Sequence, residues 1–206
     1  MLEAVGLACM RGQRRLFGDL NFRVPPGEAL WVSGPNGSGK TSLLRMLCTL
    51  LAPEAGEVRW RGRPVRSLGE AYRAELVYLG HAPAVKDDLS GLENLRFALA
   101  QEGRRVSEAA LVDALRSFGL AGREDLPARV LSQGQRRRVS LARLLFCGDR
   151  PLWILDEPLT ALDAQAVELV RALISGHLGR DGLVVLTSHQ EVDLSGVKVQ
   201  QLRMVG

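Results

Sequence analysis

Residues 34–41 (GPNGSGKT) constrain the fold of this chain more than any other segment. They follow a short apolar run at 29–33 and precede residues 40–50, where apolar residues recur with helical spacing. A glycine-rich loop between a strand and a helix lets backbone amides and the positive end of the helix dipole surround phosphate oxygens. The pattern G-x-x-x-x-G-K-[ST] therefore predicts a nucleotide-phosphate site in an α/β protein.

The rest of the chain alternates between strand-like and helix-like segments. Short apolar runs at 76–79, 152–155 and 183–187 are typical of buried parallel strands, and 2–9, 19–24 and 58–60 also have strand patterns. Helical spacing occurs at 92–100, 108–118, 135–147 and 164–177, and Pro53 is expected to stop the helix that starts at Lys40. This alternation predicts an α/β core with a helical block inserted between residues 91 and 147.

Two carboxylates follow the apolar run at 152–155, at the strand end where ligands collect in open α/β sheets. Asp156 is placed to hold Mg²⁺ together with the hydroxyl of Thr41, and Glu157 to polarise an attacking water as general base. Lys40 is expected to neutralise the β- and γ-phosphates. The predicted cofactors are therefore a nucleoside triphosphate, which the family resemblance described below implies is ATP, and Mg²⁺.

A second helix start with anion-binding character occurs at residues 131–135 (LSQGQ). Ser132 offers a hydroxyl and Gly134 a backbone amide just before the helix predicted at 135–147. Two phosphate-recognising helix starts in one chain suggest two chains arranged head to tail, each completing the nucleotide site of the other.

The phosphate loop, the LSQGQ segment and the run LWILDE at 152–157 together resemble the ABC ATPases, in particular a nucleotide-binding subunit of an ABC transporter. The resemblance extends over nearly the whole chain. It implies an α/β fold with a mostly parallel sheet, an N-terminal antiparallel β subdomain and an inserted α-helical subdomain at about residues 85–148. It also implies that residues 1–206 form a single nucleotide-binding domain.

The resemblance assigns roles to residues outside the phosphate loop. The LSQGQ segment contacts the γ-phosphate bound on the opposite subunit, Asp163 lies at the dimer seam, and His189 touches the γ-phosphate and orients Glu157. Glu157, His189 and Lys40 are thus the expected catalytic residues. The expected nucleotide contacts are Gly34, Pro35, Asn36, Gly37, Ser38, Gly39, Lys40, Thr41, Ser42, Arg11, His81, Ser132, Gly134, Gln135 and Asp163.

Two positions depart from the usual pattern of the family. Arg11 falls where an aromatic residue usually stacks on adenine; a guanidinium plane can also stack on a base, and Phe17 is the alternative. His81 falls where many relatives have a glutamine that senses Mg²⁺ and the transmembrane partner. We expect His81 either to take over this role, with a dependence on pH, or to be an ordinary loop residue.

Three consecutive arginines, Arg136, Arg137 and Arg138, begin the helix after the LSQGQ segment. The simplest expectation is a solvated helical face with one arginine turned inward. A phosphate contact and docking to an acidic membrane partner are the alternatives.

Further segments resemble the ATP-binding subunit of the haem exporter used in bacterial cytochrome c biogenesis. They are GHAPAVKDDL at 80–89, ENL at 93–95, LSQGQRRR at 131–138, LWILDEP at 152–158 and TSHQ at 187–190. This resemblance implies separate transmembrane subunits as partners, a peripheral location at the cytoplasmic face of the bacterial inner membrane, and ATP hydrolysis that loads or releases haem from a periplasmic chaperone.

Two other functions remain open. The first is the ATPase subunit of another small exporter, against which His81 counts modestly. The second is a soluble ABC ATPase of DNA repair or translation; such proteins have a long coiled-coil insertion or two cassettes in one chain, and this sequence contains neither.

The composition excludes several classes of protein. The net charge of +4 gives weak evidence for nucleic-acid binding, and we expect no nucleic-acid partner. No apolar stretch approaches the roughly 20 residues that span a bilayer, so membrane contact is expected only through partners. Cys9, Cys48 and Cys147 lack metal-ligand spacing, and we expect buried thiols.

Overall fold

The strands of the protein form an antiparallel sheet and a parallel sheet. The structure is a computed structural model that describes residues 1–188, 193–194 and 196–205. Within these residues the sheets have the strand orders β2-β1-β4-β5 and β6-β7-β8-β3-β9. The strands are β1 (Leu2–Arg11), β2 (Arg14–Val24), β3 (Ala29–Ser33), β4 (Ala55–Trp60), β5 (Arg63–Pro64), β6 (Leu76–Leu79), β7 (Leu152–Leu155), β8 (Leu183–Thr187) and β9 (Val199–Arg203).

The helices alternate with the strands and then occupy most of the middle of the chain. Two 3-10 turns, Ala128–Val130 and Arg143–Phe146, lie before and after the helix at Gln133–Ala142. None of the helices in the described ranges is long and apolar enough to cross a membrane. The α-helices are α1 (Lys40–Leu47), α2 (Val65–Leu68), α3 (Glu70–Ala74), α4 (Gly91–Gln101), α5 (Glu108–Ser117), α6 (Gln133–Ala142) and α7 (Ala164–Leu178).

The chain divides into two units. The first unit contains both sheets and comprises Met1–His81, Arg150–Pro158 and Ile174–Gly206. The second comprises Ala82–Asp149 and Leu159–Leu173 and contains α4, α5, α6 and most of α7.

The parallel sheet gathers three loops of the first unit at one edge. β7 and β8 are buried along their whole length, as expected for strands covered on both faces. β8 also pairs with β3, and all these strands run in the same direction. Because the carboxyl ends of parallel strands lie at the same edge, the loops after β3, β7 and β8 emerge side by side. The expected mostly parallel sheet and N-terminal antiparallel sheet are both confirmed.

The β1–β2 hairpin is longer than the sequence pattern predicted. Its turn consists of Gly12 and Gln13, and Gly12 has a φ of 62°, which suits a two-residue hairpin turn. β2 starts at Arg14, whereas a strand was predicted only from residue 19. The register of the pairing shifts along the hairpin, and this irregularity hides the alternation of apolar and polar residues on which the prediction relied.

α1 is shorter than predicted, because it ends at Leu47 and not at Leu50. Thr49 has a φ of 60°, which ends the helix well before Pro53. The phenol of Tyr72 donates a hydrogen bond of 2.7 Å to the carbonyl oxygen of Leu47, in the last turn of α1. The helix therefore ends at the Thr49 turn and not at the proline, and the Tyr72 hydroxyl satisfies a carbonyl oxygen in its last turn.

The second unit is a small helical bundle whose helices have clear N-caps. Ser90 forms a reciprocal capping box with Glu93 at the start of α4, and Ser107 caps α5. α6 begins at Gln133 and ends at Ala142, where the prediction had one continuous helix from 135 to 147. The leucines and other apolar residues that pack between these helices are Leu92, Leu95, Leu99, Leu111, Leu115, Val139 and Leu141.

Candidate functional site

The phosphate loop at residues 34–41 has a backbone conformation that requires glycine at three positions. Gly34, Gly37 and Gly39 have φ angles of 142°, 80° and 98°. A Cβ atom on Gly34 would collide with the carbonyl oxygen of Met204, and one on Gly39 would lie 3.0 Å from the ring of Phe17. The absence of side chains here allows the close backbone approach that a phosphate group needs.

The loop ends at a helix start that suits an anion. Gly39 is the N-cap residue of α1, so no side chain caps the first turn, and the positive end of the helix dipole is left for a ligand. Ser38 is 1% exposed, and its hydroxyl makes no hydrogen bond with any residue that the structure describes. A buried hydroxyl without a partner costs about 1–3 kcal/mol, so this loop fits a ligand rich in acceptor oxygens.

Lys40 is held over the phosphate loop by the loop's own backbone. Its Nζ donates hydrogen bonds of 2.8 Å to the carbonyl oxygen of Gly34 and 3.1 Å to that of Pro35. The side chain is buried. The loop thus keeps the ammonium group in place before any phosphate binds.

The two predicted carboxylates lie directly after β7 and are linked to β8 by one side chain. The Thr187 hydroxyl donates a hydrogen bond of 2.7 Å to Oδ1 of Asp156 and accepts one of 2.8 Å from the backbone amide of Glu157. All three residues are buried. The sequence analysis missed Thr187, although a hydroxyl at the end of the strand next to β7 was a usable indication.

Glu157 has a strained backbone. Its φ of 54° lies in the left-handed region, which is unfavourable for residues other than glycine. Such strain persists only where the surroundings enforce it, and it is common at functional sites. The bond from the Glu157 amide to the buried Thr187 is part of that enforcement.

A cavity of about 260 Å³ joins the phosphate loop to the carboxylates. All of its lining belongs to the first unit. It contains many of the predicted site residues, from segments that are far apart in the sequence. The lining residues are Arg11, Leu16, Asn36, Gly37, Gly39, Lys40, Thr41, Ser42, His81, Asp156 and Glu157.

Arg11 and Leu16 line the cavity at the β1–β2 hairpin, whereas Phe17 does not. Phe17 is partly buried against the core and lies beside Gly39, and the choice between Arg11 and Phe17 as the adenine contact stays a prediction. The sequence pattern did not indicate Leu16 as a site residue. In the hairpin Arg11 pairs with Arg14, and this register brings Leu16 to the same cavity as Arg11.

His81 lines the same cavity as Thr41, Asp156 and Glu157, and its side chain is exposed. It follows β6, whose last residue, Leu79, pairs with Leu155 of β7. The adjacent strand ends therefore bring His81 to the carboxylates. This position fits the predicted role near Mg²⁺, which stays a prediction.

The predicted signature residues lie in the second unit, at the start of α6. The hydroxyl of Ser132 accepts a hydrogen bond of 3.2 Å from the amide of Gln135, whose side chain accepts one of 2.9 Å from the amide of Ser132. Ser132 is exposed, and Gly134 and Gln135 are half-buried. The exposed helix start is available to a ligand or partner, and its contact with a nucleotide stays a prediction.

Asp163 lies at the start of α7 and has two partners in the second unit. One oxygen accepts a hydrogen bond of 2.9 Å from the amide of Ala166, and the other pairs with Nη2 of Arg138 at 2.6 Å. The bond from Ala166, with the charge of Arg138, lowers the pKa of Asp163. Its predicted place at a dimer seam is not tested by these contacts.

One of the three arginines of α6 is turned inward, as expected, but the other two do not form a solvated face. Arg137 is buried. Arg136 donates to Asp87 at 2.8 Å and to the carbonyl oxygen of Leu131 at 3.2 Å. Because Arg138 pairs with Asp163, Arg136 and Arg138 are both engaged within the second unit.

His189 lies outside the described residues, and its role stays a prediction. All other predicted site residues lie within the described part of the chain. Gly34, Pro35 and Ser38 belong to the phosphate loop but do not line the cavity that the structure describes. Cys9, Cys48 and Cys147 are buried thiols, and the described residues contain no cluster of histidine, cysteine and carboxylate side chains that could hold a metal ion.

Comparisons with solved structures agree with this fold. An ABC transporter ATP-binding protein from Pyrococcus furiosus superposes with a TM-score of 0.82 at 27% identity, covering 98% of this chain and 96% of that one. A bacterial ABC transporter cassette solved as a dimer has a TM-score of 0.81 at 22% identity, covering 98% and 94% of the two chains. The second likeness supports the fold alone.

Comparisons of sequence identify the family. The model of the ABC transporter family matches residues 17–160. The cytochrome c biogenesis ATP-binding export protein CcmA of Nitrosospira multiformis is 56% identical, covering 98% of both chains. Proteins of the same name from Dechloromonas aromatica and Pseudomonas aeruginosa are each 53% identical, covering 99% and 94% of this chain and 100% and 95% of theirs. Because the fold, the phosphate loop and the similar sequences all agree, this chain belongs to the ABC transporter ATPases.

Proposed function

We propose that this protein is the ATP-hydrolysing subunit of an ABC export complex that serves cytochrome c biogenesis by acting on haem. The observation that carries the proposal is the cavity in which the phosphate loop faces Asp156 and Glu157. The names of the CcmA relatives supply cytochrome c biogenesis and export. Haem as the group handled rests on the sequence resemblance, and another exporter substrate is the alternative.

The described residues fit ATP with Mg²⁺. The unpartnered hydroxyl of Ser38, the uncapped start of α1 and the glycines of the loop match a triphosphate. The hydroxyl of Thr41 and the carboxylate of Asp156 line the same cavity and are oxygen ligands of the kind that Mg²⁺ prefers. The bound ion would neutralise charge on the β- and γ-phosphates.

Glu157 then acts as the general base. Its carboxylate accepts a proton from the water that attacks the γ-phosphorus, and the bond from that phosphorus to the bridging oxygen breaks as ADP leaves. The Lys40 ammonium neutralises charge on the phosphate oxygens. Thr187 holds both carboxylate-bearing residues in register through its single hydroxyl. We assign His189 to the orientation of Glu157, as the resemblance implies.

We further propose that the chain acts as one nucleotide-binding domain that pairs head to tail with a second copy. The cavity is lined by residues of the first unit, whereas Ser132, Gly134 and Asp163 are in the second. The exposed helix start at Ser132 supports a contact with phosphate on another subunit. In this arrangement each copy completes the site of its partner.

The complex would contain separate transmembrane subunits, and this chain would sit peripherally at the cytoplasmic face of the inner membrane. The lack of a membrane-spanning helix among the described residues is compatible with attachment through such partners. Affinity purification of the tagged chain from membranes should recover haem-handling membrane proteins. Recovery of an unrelated permease would point to another exporter, and recovery of DNA or ribosomes would contradict the proposal.

The catalytic assignment is tested by Glu157→Gln. The amide keeps the shape of the side chain but cannot take the proton, so hydrolysis should fall by roughly 10²–10⁴-fold while ATP binding persists. Glu168→Gln, a change of an exposed acid on α7, is the matched control. Near wild-type hydrolysis by Glu157→Gln would remove this residue from the role of general base.

A further inference from the structure

Two contacts join α6 to the loop that precedes α7 within the second unit. A Cβ atom on Gly134 would lie 2.5 Å from the carbonyl oxygen of Ala161, so α6 and this loop meet backbone to backbone. One turn further along α6, Arg138 pairs with Asp163 at 2.6 Å. Residues four apart lie on the same face of a helix, so both contacts belong to one continuous interface between α6 and the loop. This interface, of residues 134, 138, 161 and 163, is called the seam below.

The guanidinium of Arg138 is largely removed from water. Its side chain is 17% exposed, and its Nε is buried without a hydrogen bond in the described structure. Nη1 lies 3.5 Å from the carbonyl oxygen of Phe118, at the limit of a hydrogen bond, so Asp163 is the strong partner. A buried charge is strongly destabilised when its partner is removed, and this ties the position of Asp163 to that of Arg138.

Asp163 remains accessible from outside the pair. Its side chain is 55% exposed, although its two oxygens bind Arg138 and the amide of Ala166. Ala161, two residues before it, has a φ of 63°, so the loop has an unfavourable backbone that needs support. The seam with α6 supplies that support from residues 134 and 138.

We propose that Arg138 is a positioning residue for ATP hydrolysis. It fastens the Ala161–Asp163 loop to α6, so that Ser132, Gly134 and Asp163 meet the nucleotide site of a second copy as one rigid set. The inference rests on the head-to-tail dimer of the proposed function. It assigns Arg138 no contact with nucleotide, in contrast to the phosphate contact that the sequence left open.

The test compares Arg138→Gln, Arg138→Lys, Asp163→Asn and the double variant Arg138→Gln/Asp163→Asn in the complex with its membrane subunits. The control is Arg171→Gln, which removes an exposed ion pair with Glu168 on α7. The measurements are kcat and KM for ATP, nucleotide affinity of the isolated chain, and the melting temperature.

Arg138→Gln should lower kcat by roughly 10–100-fold, the cost of misplacing a reacting set by about 1 Å. The nucleotide affinity of the isolated chain should stay within about twofold, because no residue of the seam lines the cavity. Arg138→Lys should recover part of kcat, since an ammonium can still pair with Asp163. The double variant should be no slower than the slower single variant, since both changes break the same contact.

Three results would overturn the inference: unchanged kcat in Arg138→Gln, effects of Arg138→Gln and Asp163→Asn that multiply, or a loss of nucleotide affinity in the isolated Arg138→Gln chain. If Arg138→Gln fails to fold, Asp163→Asn tests the same contact from its exposed partner. Failure of the proposed function itself would appear separately, as hydrolysis that survives Glu157→Gln.

Discussion

Thr187 donates its hydroxyl hydrogen to Asp156 across the boundary between β8 and β7, with an oxygen–oxygen distance of 2.7 Å. The same hydroxyl accepts the amide hydrogen of Glu157. Asp156 is proposed to hold the metal ion, and Glu157 to activate the attacking water. Because one hydroxyl binds both residues, it fixes the distance between them. The pairing of β7 with β8 sets the place of that anchor.

We expect Thr187→Val to reduce ATP hydrolysis and stability together. Valine keeps the shape of threonine but leaves the Glu157 amide without its buried partner, a loss of about 1–3 kcal/mol. Steady-state ATPase assays should show kcat lowered by about tenfold or more, and thermal melting should shift downward. Thr187→Ser keeps the hydroxyl and serves as the control; equal activity of the valine and serine variants would contradict the anchoring role.

Arg11 and Leu16, the cavity residues of the β1–β2 hairpin, are expected to hold the nucleotide base only weakly. The described lining of the cavity contains no phenylalanine, tyrosine or tryptophan, and Arg11 and Leu16 occupy the β1–β2 side. Leu16→Tyr should therefore tighten ATP binding by roughly tenfold, since stacking contributes about 1–3 kcal/mol per base. Calorimetric titration of the purified chain measures this directly.

Arg11→Ala should weaken ATP binding modestly, by about 0.5–2 kcal/mol, the range of a cation–π contact. Discrimination between ATP and GTP should change little. Arg14→Ala is the matched control, because Arg14 pairs with Arg11 across the hairpin but does not line the cavity. Equal losses for Arg11→Ala and Arg14→Ala would indicate general charge attraction and not contact with the base.

His177 predicts a loss of stability in mild acid. It is stacked on Trp153 with ring centroids 4.0 Å apart, and burial lowers its pKa to about 4. The unfolded chain binds a proton near pH 6.5, so unfolding takes up a proton between these two values. Stability is therefore complete above about pH 6.5 and should fall by up to about 3 kcal/mol as the pH approaches 4.

Denaturant unfolding of the wild type and of His177→Phe at pH 7.5 and pH 5 would measure this term. Phenylalanine keeps the aromatic stack but cannot be protonated, so its stability should depend less steeply on pH. Parallel curves for the wild type and His177→Phe would show that His177 makes no contribution.

The sequence predicted those parts of the molecule that depend on local pattern. The bounds of β6, β7 and β8 match the prediction, because strands buried on both faces are continuous apolar runs. β9 was missed, since its residues Val199–Arg203 are mostly polar and only pairing with β3 makes them a strand. Likewise, the end of α1 depends on the conformation of Thr49, for which no residue pattern gave an indication.

In the candidate site, too, local motifs predicted some residues, whereas others come together only through contacts that are distant in sequence. Motif spacing identified the phosphate loop and both carboxylates, because their chemistry requires fixed residue types. Thr187 and Leu16 were missed, since their roles come from strand pairing and hairpin register. The arginines of α6 have partners as distant as Asp87 and Asp163, and no local pattern specifies such pairs.

His81 is expected to take part in ATP hydrolysis. It lines the cavity with Thr41 and Asp156, where a neutral imidazole can accept a hydrogen bond from a water molecule. His81→Gln should preserve ATPase activity, because the glutamine amide also offers an acceptor, whereas His81→Ala should lower it. Steady-state assays measure these rates, and equal ATPase rates of His81→Ala and the wild type would make His81 an ordinary loop residue.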